Sequence, residues 1–441
     1  MDPIHYDILI TNATVVTVNR DFDVIPEAMV AIRADRIVSV GPMPVQGPMP
    51  RAAKIIDAAG GIVMPGLVNA HTHLPMTLFR GLADDLPLDR WLNDHIFPAE
   101  ARHIRAETVG PATLLAAAEL LLSGTTCCCD GYFLEDTVAQ ALATTGLRAV
   151  LGQGVIDFPA PGVPDPAGNV AEAAAYADRW LGRHPLIAPA IFCHSPYTCS
   201  AKTLVAAKQA ANDRGLLFQI HVAETRQERE QMLVDQGKTP VAYLADLGVL
   251  DRFTQVVHGI WADETDIGIL AASGASLAHC PESSLKLGAG IAPVPAMLNA
   301  GIAVGLGTDG PASNNDQNLF GEMDTAAKIH KGISLDPTVM DAATVIRLAT
   351  IQGAATIGLA DQIGSVETGK QADLILIGTA RPHLTPLYHP ASHLVYAARG
   401  ADVTHVIVAG RLLVENQRLL SIDGATVMEA VREIAKQLLS F

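Results

Sequence analysis

Residues 62–73 read IVMPGLVNAHTH, an apolar run with a proline and a glycine at 65 and 66, ending in two histidines one residue apart. Short, rich in β-branched residues and free of charge, the run predicts a buried strand that carries His71 and His73 at its end. Side chains two apart on a strand point to one face, so both imidazoles are presented together. Seven further runs of this character follow. They are GTTCCCD from Gly124, RAVLGQGV from Arg148, LIAPAIFCH from Leu186, LLFQIHVA from Leu216, FTQVVHG from Phe253, GASLAHC from Gly274 and GIAVGLGTD from Gly301. Helical patterns fill the gaps, as at 201–213 and 320–331. Strands alternating with helices predict a parallel sheet, and eight strands close a (β/α)8 TIM barrel.

Outside this region the texture changes. DILITNATVVTVN from Asp7 and AMVAIRADRIVSVG from Ala28 read as strands closed by turn residues, and ADLILIG from Ala372 and VTHVIVAGRLLV from Val403 repeat that character near the other end. Both chain ends are therefore expected to build one small β-sandwich. The division is 1–62 for its N-terminal part, 63–368 for the barrel and 369–441 for its C-terminal part. A final helix over 426–439 is expected to pack beside that sandwich. The Pro- and Gly-rich stretch 157–168 has no periodicity and reads as a surface loop beside the site.

The unusual polar residues fall at the C-terminal ends of the barrel strands: His71 and His73 on the first, His194 on the fourth, His221 on the fifth, His258 on the sixth and Asp309 on the eighth. That rim is where (β/α)8 barrels place their chemistry. His71, His73, His221 and Asp309 form a mixed nitrogen and oxygen set suited to one divalent metal of borderline softness, with a position left for water. An isolated His-x-His pair also arises by chance or for packing; the matching ligands on two later strands tell against that here. Glu224 follows His221 by three residues and would face away on a regular strand. The chain must turn there to bring this carboxylate to the rim, where it can act as general acid and base. His258 is expected to steady the attacking nucleophile or the tetrahedral intermediate. Trp91 and Glu100, in WLNDHIFPAE, are expected to contact substrate as an apolar plate and an anionic acceptor. Cys127, Cys128 and Cys129 alternate faces of a strand and read as core.

Composition bounds the alternatives. In 441 residues, 49% are hydrophobic and 17% charged, which excludes disorder and leaves room for a large core plus a companion domain. A formal charge of −16 argues against a nucleic-acid partner. No basic segment precedes an apolar run at the start, and the most apolar helical stretch, 114–122, is short and holds Glu119, so neither a signal peptide nor a membrane span is expected. Six cysteines without disulfide-like spacing suit a reduced, cytoplasmic protein. The mean hydropathy of +0.27 predicts buried interfaces and hence a homo-oligomer.

MPGLVNAHTHLPMTLFRG, HVAET, HCPESSLKLGAG and LGTDGPASNNDQNLFGEMDTAAKIHK together resemble the amidohydrolase superfamily, and within it the 5-methylthioadenosine/S-adenosylhomocysteine deaminase branch. The resemblance runs over essentially the whole chain. It implies a metal-dependent hydrolytic deaminase of adenine nucleosides, releasing ammonia, with one zinc (or iron or manganese) held by His71, His73, His221 and Asp309. It further implies that Glu224, His258 and Asp309 serve the chemistry, that Glu100 meets the ribose hydroxyls, and that Trp91 and His194 line the nucleoside pocket. The alternative is a deaminase or dechlorinase of another heteroaromatic ring, such as a pterin, a guanine derivative or a triazine. Dinuclear members of the superfamily carry a bridging lysine at the end of the fourth strand; FCHSPYTCS has none there. The PCxxC motif of the other zinc deaminase class is also absent. Two positions depart from the family pattern: Cys193 stands where a proline is usual and Ser284 where an asparagine is usual. No Lys or Arg occurs over 149–178, a loop that offers an arginine to an anionic substrate tail in some relatives.

Overall fold

The computed structural model describes residues 5–46 and 49–438. Its N-terminal strands are β1 (His5–Val16), β2 (Val24–Arg33), β3 (Arg36–Pro42), β4 (Arg51–Asp57) and β5 (Ile62–Pro65). Eight parallel strands come next: β6 (Leu67–Thr72), β7 (Thr125–Tyr132), β8 (Arg148–Val155), β9 (Ile187–Cys193), β10 (Phe218–Val222), β11 (Thr254–His258), β12 (Ser276–His279) and β13 (Val304–Leu306). Their spatial order is their chain order. The ring closes where Thr72 bridges Asp309 in parallel and the Asp309 N–H donates to the His71 carbonyl at 3.0 Å. Apart from Ala188, the residues of these strands are buried, which is why each reads as a continuous apolar run rather than an alternating one.

All eight barrel runs seen in the sequence are strands, but the first of them is two. β5 pairs with β1 and lies outside the barrel, whereas β6 opens the barrel. The break falls at Gly66, whose N–H donates to the Asp373 carbonyl at 2.9 Å. A Cβ at this residue would lie 2.1 Å from Thr126 Oγ1, so no other residue lets the chain cross from sheet to sheet here.

Both chain ends do meet. β14 (Leu374–Ile377), β15 (Val403–Val408), β16 (Arg411–Glu415) and β17 (Arg418–Leu419) extend the sheet beyond β5, giving nine strands in one largely antiparallel sheet. It packs around its own core, in which Ile8, Ile10, Val30 and Ile32 meet Leu374, Leu376 and Ile407. The last helix, Gly424–Leu438, docks on the barrel helix Ala106–Leu122, and its first turn lies next to Leu419 of the sheet's end strand β17. Its stripe of Val427, Val431, Ile434 and Leu438 joins the barrel's outer core. Leu439, its expected last residue, lies outside the described residues.

One ion pair ties the two layers together. Arg148, at the start of β8, meets Asp373 with Nε–Oδ2 at 2.9 Å and Nη2–Oδ1 at 3.1 Å, the side chains being 4% and 1% exposed. Asp373 Oδ1 also accepts the Ala409 N–H at 2.7 Å. Removing one partner of such a pair leaves a buried charge unanswered. Asp373→Ala is expected to cost about 3–5 kcal/mol, read as a lower urea midpoint, and an unchanged midpoint would show that water reaches Arg148.

Candidate active site

The rim of the barrel gathers the expected ligands. His71 lies on β6 and His73 just beyond it, while His221 lies on β10 and Asp309 follows β13. Their ligating atoms all fall within 4.8 Å of one another, and all four residues are buried. His71 Nε2 and His221 Nε2 stand 3.1 Å apart, and His73 Nε2 lies 3.2 Å from Asp309 Oδ1. Burial pushes the pKa of His71 and of His221 well down, so both rings are neutral. Neutral rings place at most one hydrogen in that gap, so at least one of the two Nε2 atoms presents a lone pair there. His73 donates from Nδ1 to the Gly131 carbonyl at 2.6 Å, so its Nε2 lone pair faces the Asp309 carboxylate and needs a proton or a cation between them. One divalent cation meets all four lone pairs at once, and the residues fit it. Asp309 is oriented from behind: its Oδ2 accepts from Ser283 Oγ at 2.7 Å and Ser313 Oγ at 3.1 Å, and its Oδ1 from the Gly310 N–H at 2.8 Å.

The turn expected after His221 is present. Ala223 adopts φ 52°, in the left-handed region, and sends Glu224 into the pocket. Burial first, then the Asp309 and Glu228 charges, raise the Glu224 pKa well above the usual carboxylate range. His258 Nε2 lies 3.8 Å from Glu224 Oε1, and burial pushes the His258 pKa down to about 4. His258 (φ 73°) and Asp309 (φ 60°) are left-handed too. Three non-glycine residues in this conformation on one rim mark a backbone shaped for side-chain placement rather than for comfort.

Beyond the ligands, the pocket is lined by Trp91, Phe97, Tyr132, Phe133, Phe192 and Leu287, with Glu100 and His194 among them. The Trp91 indole is anchored by a bond from Nε1 to the Ala83 carbonyl at 2.9 Å, at the start of a π-helical turn, Trp91–Ile96. Glu100 is buried, which pushes its pKa up to about 7, and its Oε1 accepts from the Tyr132 hydroxyl. His194 has Nδ1 3.0 Å from Thr198 Oγ1, and burial holds it neutral with a pKa of about 3. Phe158, from the expected loop, packs edge-on against Phe97 at 5.4 Å.

Thus the residues singled out as ligands, acid–base groups or substrate contacts come together at this site. Tyr132, Ser283, Ser313 and Glu228 were missed. Glu228 carries a readable signal, the capping-box spacing Thr225-x-x-Glu228; the other three carry none. The departures are mild: Ser284 Oγ turns back to the Cys280 carbonyl at 2.8 Å, and Cys193 is buried. The cysteines at 127, 128 and 129 are buried, as expected of core.

A (β/α)8 barrel with three imidazoles and a carboxylate converging on its C-terminal rim, beside a free buried glutamate, defines a metal-dependent hydrolase. The chain belongs to the amidohydrolase family, whose model matches residues 62–413. It is 45% identical over 430 residues to a 5-methylthioadenosine/S-adenosylhomocysteine deaminase of Syntrophobacter fumaroxidans, covering 98% of both chains. It is 42% identical over 380 residues to a 5'-deoxyadenosine deaminase of Methanopyrus kandleri, covering 86% of this chain and 87% of that one. Among solved structures, an adenosine deaminase from Xanthomonas campestris with bound zinc superposes with a TM-score of 0.96 at 38% identity, over 100% of both chains. No helix among the described residues is long and apolar enough to cross a membrane.

Proposed function

We propose that the protein is a hydrolytic deaminase of adenine nucleosides, with 5'-methylthioadenosine, S-adenosylhomocysteine and adenosine as the candidate substrates. The observation that carries this reading is the pairing of two acids in one aromatic pocket: Glu224 beside the ligand cluster, and Glu100, whose second oxygen could accept from a ribose diol. His71, His73, His221 and Asp309 would hold one zinc, with iron and manganese as the other candidates. A divalent cation in such a set lowers the pKa of a ligated water towards neutrality. Glu224 would take one proton of the attacking water and deliver it to the ring nitrogen. Water oxygen adds to C6, the second water proton passes from that oxygen to the amino nitrogen, the C6–N bond breaks, the oxygen stays as a carbonyl and nitrogen leaves as ammonia. His258 and Asp309 orient the nucleophile, while Trp91 and His194 hold the nucleoside. A pterin, guanine derivative or triazine has no diol to meet the Glu100 oxygen that the Tyr132 bond leaves free, and this disfavours the alternative.

The lining includes no Lys or Arg, so a homocysteine tail should gain little over a plain methylthio group. Kinetics by ammonia release test the reading. Methylthioadenosine and adenosine should outrun adenine, 2'-deoxy and 3'-deoxy analogues should be slow, and Glu100→Ala should shrink that gap by acting on KM. Free bases, pterins or triazines turning over faster than every nucleoside would overturn the nucleoside assignment. The same reading places the enzyme in the cytoplasm as a homo-oligomer: six free buried cysteines suit a reducing compartment, and Ile333, Leu335 and Tyr388 are large apolar residues left exposed.

A further inference from the structure

We infer that Glu228 is the positioning residue for Glu224, and this rests on Glu224 being the proton carrier. Glu228 stands in the first turn of the helix Arg226–Gln236 and is buried, yet it does not line the pocket and is not one of the clustered ligands. Its carboxylate gathers the amides of the turn: Oε1 accepts the Ala223 N–H at 2.9 Å and Oε2 the Glu224 N–H at 2.7 Å, with the Thr225 amide also directed at it. The helix is capped in return, because Thr225 Oγ1 accepts the Glu228 N–H at 3.0 Å.

The Ala223 and Glu224 amides flank the residue that leaves β10 in the left-handed conformation, an arrangement that an alanine adopts only when its surroundings fix it. The Ala223 carbonyl is held from the other side by the Trp261 N–H at 2.9 Å. With both peptide groups fixed, the Glu224 carboxyl is delivered 3.8 Å from His258 instead of turning with the regular strand. A carboxylate is required for this task. Glutamine has the same shape but would press an NH2 against one of the two N–H groups, leaving that amide unpaired and the turn half held.

The test is a double-mutant cycle of Glu228→Gln with Glu224→Gln, measured per folded, metal-loaded chain. Glu228→Gln alone is expected to lower kcat by about 10²-fold, the usual cost of displacing a reacting group by about 1 Å, with KM and metal content close to wild type. On the Glu224→Gln background it should lower kcat no further, because it acts only through Glu224. A general loss of fold would lower both backgrounds alike, so equal losses would overturn the proposal, as would wild-type kcat in the single variant. If Glu224→Gln itself keeps near-normal turnover, the proton-carrier reading has failed instead. Glu228→Asp, which keeps the charge but shortens the reach, should recover less than wild type and more than glutamine; full activity with aspartate, or none beyond that with glutamine, would contradict a geometric role.

Discussion

Glu224→Gln is expected to bind its metal, keep its fold and lose about 10²–10⁴-fold in kcat, the range that positioned general acid–base catalysis contributes. The amide preserves shape and cannot carry the proton. Glu224 is not among the clustered ligands, so metal content should not change. Because the loss falls on the chemical step, substrate binding should survive, and KM should move far less than kcat. Calorimetric titration of the variant with methylthioadenosine, beside metal analysis and steady-state rates, separates the terms. A variant that turns over at near the normal rate would show that another group, with His258 the nearest candidate at 3.8 Å, moves the proton.

Stripping the metal is expected to have an effect at least as large. A cation acting as Lewis acid is worth several kcal/mol, and each 1.36 kcal/mol is tenfold, so chelation should lower turnover by about 10³-fold or more. One equivalent of zinc per chain should restore it, because one cluster of four ligands is present among the described residues and Cys193 and His194 stand where a bridging lysine would be needed. Metal analysis that finds two tightly held ions would overturn this. His221→Ala should weaken metal binding without unfolding the barrel, since the residue sits at the strand's end and not in its packed interior.

Much of this architecture was legible because barrel strands buried on both faces leave a clear trace: short apolar runs, several of them ending in a histidine or an aspartate at the rim. His71, His73, His221 and Asp309 declared themselves by occurring there, where packing gives histidine and aspartate no reason to be. Local patterns could not reveal what depends on a partner far along the chain. Gly66 looks like one residue of a long strand until Thr126 is placed against it. Tyr132 ends a core strand and is ordinary until Glu100 arrives beneath its hydroxyl. The stripe on the last helix shows that it must dock, but not that the helix Ala106–Leu122 receives it.

The nine-stranded sheet has a consequence in time. β5 offers one edge to β14, with Ile62 against Ile377 and Pro65 against Leu374, and roughly 300 residues of chain separate them. A ribosome adding about 5–20 residues each second needs about 15–60 s to bridge that distance. For that interval the N-terminal strands are made and their apolar edge is open, while the whole barrel emerges behind them. Pairings this distant in sequence close slowly, and an uncovered edge is a template for the wrong neighbour. Shortened chains that end before β14 should therefore be captured by chaperones or aggregate, although they contain every residue of the active site.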